Sequence, residues 1–283
     1  MLIDIHVHLF PHPRWVITQT VQLTVDDLLK IMDSQGIDKA VVLPIENPEP
    51  SGPMTTWQVV DCCRQEPDRL IPFCVVDPRV RTQSQPLEKD FKGYLAPYVE
   101  AGCRGFGEHK CSLAVDDARS VAMYNACGEL GLPVLLHLQS NYNIDEPGLP
   151  HFEKVLQQCP NTAFIAHGPA WWANISADVS FQVTYPEGKT VPGGAVQRLL
   201  SKYDNIYGDL SANSGYNALA RDPDHARDFL HRYSGKLLFG TDLLDRNQKL
   251  PIVGFLRGFG LEAEDWERIS HANAERLLKL APG

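Results

Sequence analysis

The chain has 283 residues, with 43% hydrophobic and 22% charged side chains and a formal net charge of −9. That is the composition of a soluble globular protein, long enough for a single barrel domain of about 250 residues. It holds no run of about 18 apolar residues, which excludes a membrane-spanning helix, and its acidic balance argues against a nucleic-acid backbone as main partner.

Along the chain, apolar β-rich runs alternate with amphipathic ones. Strands are expected over 2–6, 40–44, 70–76, 102–108, 134–137, 163–167, 206–210 and 236–240. Helices are expected between them over 25–35, 54–65, 87–101, 117–130, 150–158, 194–202 and 224–233, with a closing pair over 250–255 and 263–280. Asp26 and Asp27 suit the first turn of one helix, and Gly36 lies just past its end. Gly131-Leu132-Pro133 stops another before the fifth strand. Trp266, Ile269, Ala272, Leu277, Leu278 and Leu280 form one apolar stripe on the last helix. The longest irregular stretches, 10–24 and 169–192, follow strand ends, where lids and substrate walls sit.

Eight strand–helix units predict an α/β fold, a single (β/α)8 TIM-type barrel with C-terminal helices, as one domain over residues 1–283. A doubly wound open sheet would carry a glycine-rich turn after its first strand. Here that turn reads His8-Leu9-Phe10-Pro11-His12, without glycine. The seven cysteines are scattered with no CxxC pair, which reads as reduced, buried thiols. No basic-then-apolar leader pattern is present, so a cytoplasmic location is expected.

Barrel enzymes assemble their sites from the C-terminal ends of the strands. Those ends carry His6 and His8, Glu108 with His109 and Lys110, His137, His167, Asp209 and Asp242. Residues two apart on a strand share a face, so His6 and His8 project together. Neutral imidazoles and a carboxylate can hold a divalent ion with one position open for water or substrate. The ion lowers the pKa of that water toward ~7, and an adjacent carboxylate can take its proton. His6, His8, His137 and Asp242 meet those requirements from the first, fifth and eighth strands.

The segments Asp4-Ile5-His6-Val7-His8, Leu136-His137, Ala166-His167-Gly168 and Phe239-Gly240-Thr241-Asp242 together resemble the amidohydrolase superfamily, particularly its amidohydrolase-related branch. The closing run from Ile269 to Leu278 is similar to that branch's terminal helix. The resemblance implies a hydrolase, or less often a non-oxidative decarboxylase, with metal at the barrel mouth. It implies His6, His8 and His137 as ligands and Asp242 as the carboxylate that touches the metal and shuttles the proton. His167 matches the sixth-strand histidine, which in relatives binds a second metal or instead handles substrate or a proton; we expect the latter. On the fourth strand, Gly105-Phe106-Gly107-Glu108 is similar to a glutamate-bearing branch that includes metal-dependent deoxyribonucleases, and implies Glu108 as a ligand. A carboxylated Lys110, or a plain Glu108–Lys110 charge pair, are the alternatives. One or two ions are expected, Zn2+ before Mn2+.

Arg79 at the third strand end could grip a substrate carboxylate or form a structural ion pair. Arg14 and Trp15 in the first loop, and Trp171 and Trp172 in the sixth, could wall a pocket. Asp209 and Asn213 could bond substrate or fix a neighbouring ligand. The expected function is metal-dependent hydrolysis of an amide, lactone or ester bond in a small molecule. Decarboxylation of an aromatic or dienoic acid, and a nuclease-like phosphoesterase, are the rivals. No nucleic-acid or membrane partner is expected, and a homo-oligomer is compatible with the sequence.

Overall fold

The eight barrel strands are β1 (Ile3–Val7), β2 (Lys39–Val42), β3 (Leu70–Pro72), β4 (Phe106–His109), β5 (Val134–His137), β6 (Phe164–His167), β7 (Ile206–Asp209) and β8 (Leu237–Leu238). They belong to a computed structural model that describes residues 1–16, 19–49, 54–82, 85–86, 90–180 and 183–281. All pair in parallel with their sequence neighbours, β1 to β3 in one ladder and β4 to β8 in another. Backbone hydrogen bonds bridge both seams. Cys74 N–H donates to Gly105 O (2.9 Å) and Gly107 N–H to Cys74 O (2.7 Å). Ile5 N–H donates to Phe239 O (3.0 Å) and His8 N–H to Leu243 O (2.8 Å). The eight strands therefore form one ring, the (β/α)8 barrel.

Alternation along each strand divides the core. Val41, Leu43, Leu135 and Ile165 point inward with Ile3, Ile5, Ile71, Phe73 and Leu238, and Ala274 and Leu278 of the last helix join them. Ala40, Val42, Val134, Leu136, Phe164 and Ala166 point outward, into the larger layer shared with the helices. The helices start and stop on local chemistry. Thr24 and Asp27 form a capping box on Val25–Gln35, as do Thr55 and Gln58 on Thr56–Cys63. Gly36 and Gly131 end their helices in the left-handed conformation at φ 58° and 70°.

The expected elements appear with corrected bounds. The third and eighth strands are shorter than expected, and the fourth sits later. The third helix is described from Phe91; its expected start at 87–89 lies outside the described residues. The closing helix is divided into Ala263–Glu267, a wide turn at Arg268–Ala272 and Asn273–Leu278. The stretch 10–24, expected to be irregular, contains an antiparallel hairpin of Phe10–Val16 and Gln19–Leu23, its residues 17–18 being outside the description. The strand carries Pro11 and Pro13, which the hairpin tolerates because it pairs on one side only. The stretch 169–192 opens with a short helix, Pro169–Ala173. All seven cysteines are free and buried, and among the described residues no helix is long and apolar enough to cross a membrane.

Phe73 is fully buried, and its ring packs against Gly105 so closely that a Cβ there would lie 2.2 Å away. Phe73→Ala should cost about 3–5 kcal/mol, lowering the urea midpoint at unchanged slope. A loss below about 1 kcal/mol would contradict this account of the barrel interior.

Candidate metal centre

Two bulges aim the site. Between Asp4 and Val7, β1 spends one residue more than β2. The extra residue resets the alternation, so Ile3 and Ile5 fill the barrel while His6 and His8 still turn inward above them. Between Phe106 and His109, β4 spends one residue more than β5. Glu108 thereby enters the site, while His109 packs outward between Phe106 and Tyr124. Gly107 at that bulge has φ 139°, and a Cβ there would meet Leu135 O at 2.6 Å, so only glycine fits.

The inward groups meet at the strands' C-terminal rim. His6 Nε2 and His8 Nε2 lie 3.1 Å apart. Glu108 Oε2 is 3.1 Å from His8 Nε2 and 3.7 Å from His6 Nε2. Asp242 Oδ1 is 3.4 Å from His6 Nε2 and 3.7 Å from His8 Nε2. Ligands bonded at 2.0–2.2 Å to a tetrahedral ion stand about 3.3–3.6 Å from one another, so this spacing fits one divalent ion. The proton arrangement agrees. His8 Nδ1 lies 3.0 Å from Leu43 O, which can only accept, and His6 Nδ1 lies 2.7 Å from Asp209 Oδ2. Both Nε2 lone pairs thus face the same point, beside Asp242 Oδ1, a buried oxygen with no hydrogen-bond partner. Asp242 reaches it from a left-handed backbone, φ 56°, tied down by its N–H to His6 O (2.9 Å) and by Gln248 Nε2 to its own carbonyl (2.8 Å).

Glu108 spans the centre. Its Oε2 also faces Lys110 Nζ at 2.5 Å, and its Oε1 lies 2.6 Å from His137 Nδ1 and 3.7 Å from His167 Nε2. Burial raises the Glu108 carboxyl, but Lys110, His137 and His6 outweigh it and hold the group well below its usual range. Burial lowers the Lys110 ammonium, and Glu108 and Asp242 more than restore it. Burial pushes the His8 and His137 imidazoles down, toward the neutral form that ligates. Three groups of side chains have the spacing to hold a cation: His6, His8 and Glu108; Glu108, His137 and His167; and His6, His167 and Asp209.

The remaining expected residues divide. His137 is brought to Glu108 and His167, and not to the point shared by His6 and His8. Asn213 and Asp242 line a cavity of about 380 Å3 with Gln19, Tyr185, Thr241 and Lys249. Trp171 and Trp172 are core residues, almost fully buried, and wall no pocket there. Arg79 forms the structural ion pair, its guanidinium held by Asp77 (2.5 Å) and Glu49 (2.5 Å). Arg14 is exposed on the hairpin. The sequence reading passed over Ser211, which touches Asp209, and Gln139, 2.7 Å from His137 Nε2. It also passed over the tie from Asp4 to Thr241, whose hydroxyl donates to Asp4 Oδ2 at 2.6 Å. The alternation Asp4–His6–His8 was the available signal for that last contact.

A parallel eight-stranded barrel with clustered imidazoles and carboxylates at its rim is the architecture of a metal-binding enzyme class. The chain belongs to the amidohydrolase family, whose model matches residues 3–280. Comparison with curated proteins gives no match. Among solved structures the chain is similar to a probable 2-pyrone-4,6-dicarboxylic acid hydrolase from Acinetobacter baumannii with citric acid bound, at 15% identity and TM-score 0.64, covering 98% of this chain and 99% of that one. It is similar to an amidohydrolase from Burkholderia multivorans with bound zinc, at 15% identity and TM-score 0.64, covering 99% and 100%. A dihydroxybenzoic acid decarboxylase from Polaromonas with bound manganese matches at 15% identity and TM-score 0.56, covering 93% and 88%. These likenesses establish the fold.

Zinc at about 100 times its Kd should stabilise the protein by about 2.7 kcal/mol, seen as a rise in melting temperature with stoichiometric zinc by elemental analysis. His8→Asn should abolish both while leaving the circular dichroism of the metal-free protein unchanged. Undiminished zinc uptake by that variant would exclude His8 from the centre.

Proposed function

We propose that this amidohydrolase-family protein is a metal-dependent hydrolase that uses water to cleave an ester, lactone or amide bond of a small molecule. The observation that carries the reading is the placement of Asp242. One carboxylate oxygen faces the His6 and His8 nitrogens, the other lies 3.9 Å from His167 Nε2, and the residue opens on the 380 Å3 cavity. In this reading His6, His8, Glu108 and Asp242 hold the ion, with His137 anchored on the far oxygen of Glu108. A bound divalent ion, zinc in our reading, supplies Lewis acidity toward a carbonyl and lowers the pKa of water toward ~7.

The protein's own groups do the rest. Asp242 accepts the proton of the attacking water and returns it to the departing oxygen or nitrogen. His167, beside Asp242, shares that proton and polarises the substrate. Lys110 balances Glu108, keeping a carboxylate there at neutral pH. Tyr185, Gln19 and Asn213 present hydroxyl and amide groups to whatever occupies the cavity.

Asp242→Asn should lower kcat by about 10²–10⁴-fold while zinc remains bound, measured as chelator-sensitive acid release from a panel of esters, lactones and amides. Carbon dioxide release from carboxylated aromatic acids without hydrolysis would replace this reading with decarboxylation. Turnover insensitive to chelator, or equal in the variant, would overturn it.

A further inference from the structure

Asp209 ends β7 fully buried, and its Oδ2 is the meeting point of three donors from three places in the chain. His6 Nδ1 lies at 2.7 Å, His167 Nδ1 at 3.0 Å and Ser211 Oγ at 2.8 Å, and Ser211 Oγ is itself 3.1 Å from His167 Nδ1 and 3.3 Å from His6 Nδ1. The other oxygen, Oδ1, accepts Ser211 N–H at 2.9 Å, and the Asp209 carbonyl accepts Trp172 Nε1–H at 2.9 Å. No space is left around it. A Cβ at Gly240 would lie 2.6 Å from Asp209 Oδ1, 2.9 Å from Ser211 Cβ and 3.4 Å from His6 Cβ, which accounts for a glycine before Thr241-Asp242. A carboxylate offers only acceptors, so each ring that touches it must present Nδ1–H, which in the neutral ring leaves the Nε2 lone pair turned the other way. For His6 that direction is the point shared with His8 and Asp242. For His167 it is Glu108 Oε1 and Asp242 Oδ2, at 3.7 and 3.9 Å.

We infer that Asp209 is a shared positioning residue that sets the proton on two imidazoles at once, with Ser211 steadying the carboxylate. Through His6 it governs retention of the ion, and through His167 it governs the proton handled beside Asp242. The assignment rests on the hydrolytic reading only for the second of these consequences. Because one oxygen serves both rings, the two effects are lost together. A residue of merely structural value would change neither ring's protonation pattern.

Histidine ring 15N–1H spectra test this in both metal-free and zinc-loaded protein. The expected spectrum has a slowly exchanging, downfield Nδ1–H signal for both His6 and His167, assigned through His6→Gln and His167→Gln. Asp209→Asn, whose amide can donate instead of accept, should remove or shift both signals. It should also lower zinc affinity by about 10–100-fold in chelator competition. Nδ1–H absent from either ring in the wild type, or both signals and zinc affinity unchanged in a folded Asp209→Asn, would overturn the inference. Should that variant fail to fold, Asp209→Ser, smaller and without the carboxylate, decides: both signals must move together, and movement of neither or of one alone overturns it. Expected spectra in a protein that hydrolyses nothing would leave the clamp standing and remove the hydrolytic reading.

Discussion

Two buried carboxylates, the half-buried Asp242 and four buried imidazoles meet at one rim of the barrel, and the rest of the structure is arranged around that constraint. An isolated buried carboxylate is too costly to persist as an ion. The two buried ones here are matched, Glu108 by Lys110 and His137 and Asp209 by two imidazoles and a hydroxyl, while Asp242 Oδ1 faces the nitrogens of the first strand without a hydrogen-bond partner. Lys110 sets one ammonium against these carboxylates, and, against the lowering effect of burial, the carboxylates also raise the His6 imidazole well above its ordinary range. The rim therefore favours added positive charge, as a bound cation would supply.

Position is the second requirement, and the barrel meets it by breaking its own rule of alternation twice. A regular β1 with Ile3 and Ile5 inside would turn His6 and His8 outward. A regular β4 with Phe106 outside would turn Glu108 outward and His109 inward. One extra residue in each strand separates an apolar lower layer, which stabilises the ring, from a polar upper layer, which does the chemistry. Asp4 ties the two ends of this arrangement together. It accepts His6 N–H (3.0 Å) and Thr241 N–H (3.0 Å), joining the first strand's imidazoles to the Asp242 turn. Burial raises its carboxyl to about 7, so the tie depends on those donors for its charge.

Much of this was legible in the sequence. The period of two, with Asp26 and Asp27 opening a helix and Gly36 closing it, marked elements whose stability is local, and the strand-end histidines pointed to the rim. The bulges were not legible, because an extra residue in a strand leaves the apolar count unchanged. The roles of Trp171 and Arg79 also depended on what lies opposite them. Trp171 follows a strand end, as a pocket wall would, yet its neighbours Phe152 and Trp172 come from packed helices. Arg79 looks like an anion grip until Glu49, thirty residues earlier, closes on it. The Trp171–Phe152 and Arg79–Glu49 contacts are tertiary pairings that no local pattern encodes.

Those two residues also bear on what the cavity can recognise. With the Arg79 guanidinium committed to Asp77 and Glu49, it has little left with which to bind a carboxylate. Lys110 is committed to Glu108, and among the cavity's lining residues only Lys249 carries a positive charge, on an exposed side chain. The rest of that wall is made of amides, a threonine, the Tyr185 phenol, the carboxylates of Asp242 and Asp245, and an apolar side that includes Leu244, Leu250 and Ile252. On the hydrolytic reading, a substrate there would be oriented by hydrogen bonds and apolar contact more than by a strong cationic anchor. The field that acts on the reacting bond then comes almost entirely from the rim cluster, which is why the balance of charge among Glu108, Lys110, Asp209 and Asp242 matters more than any single contact in the cavity wall.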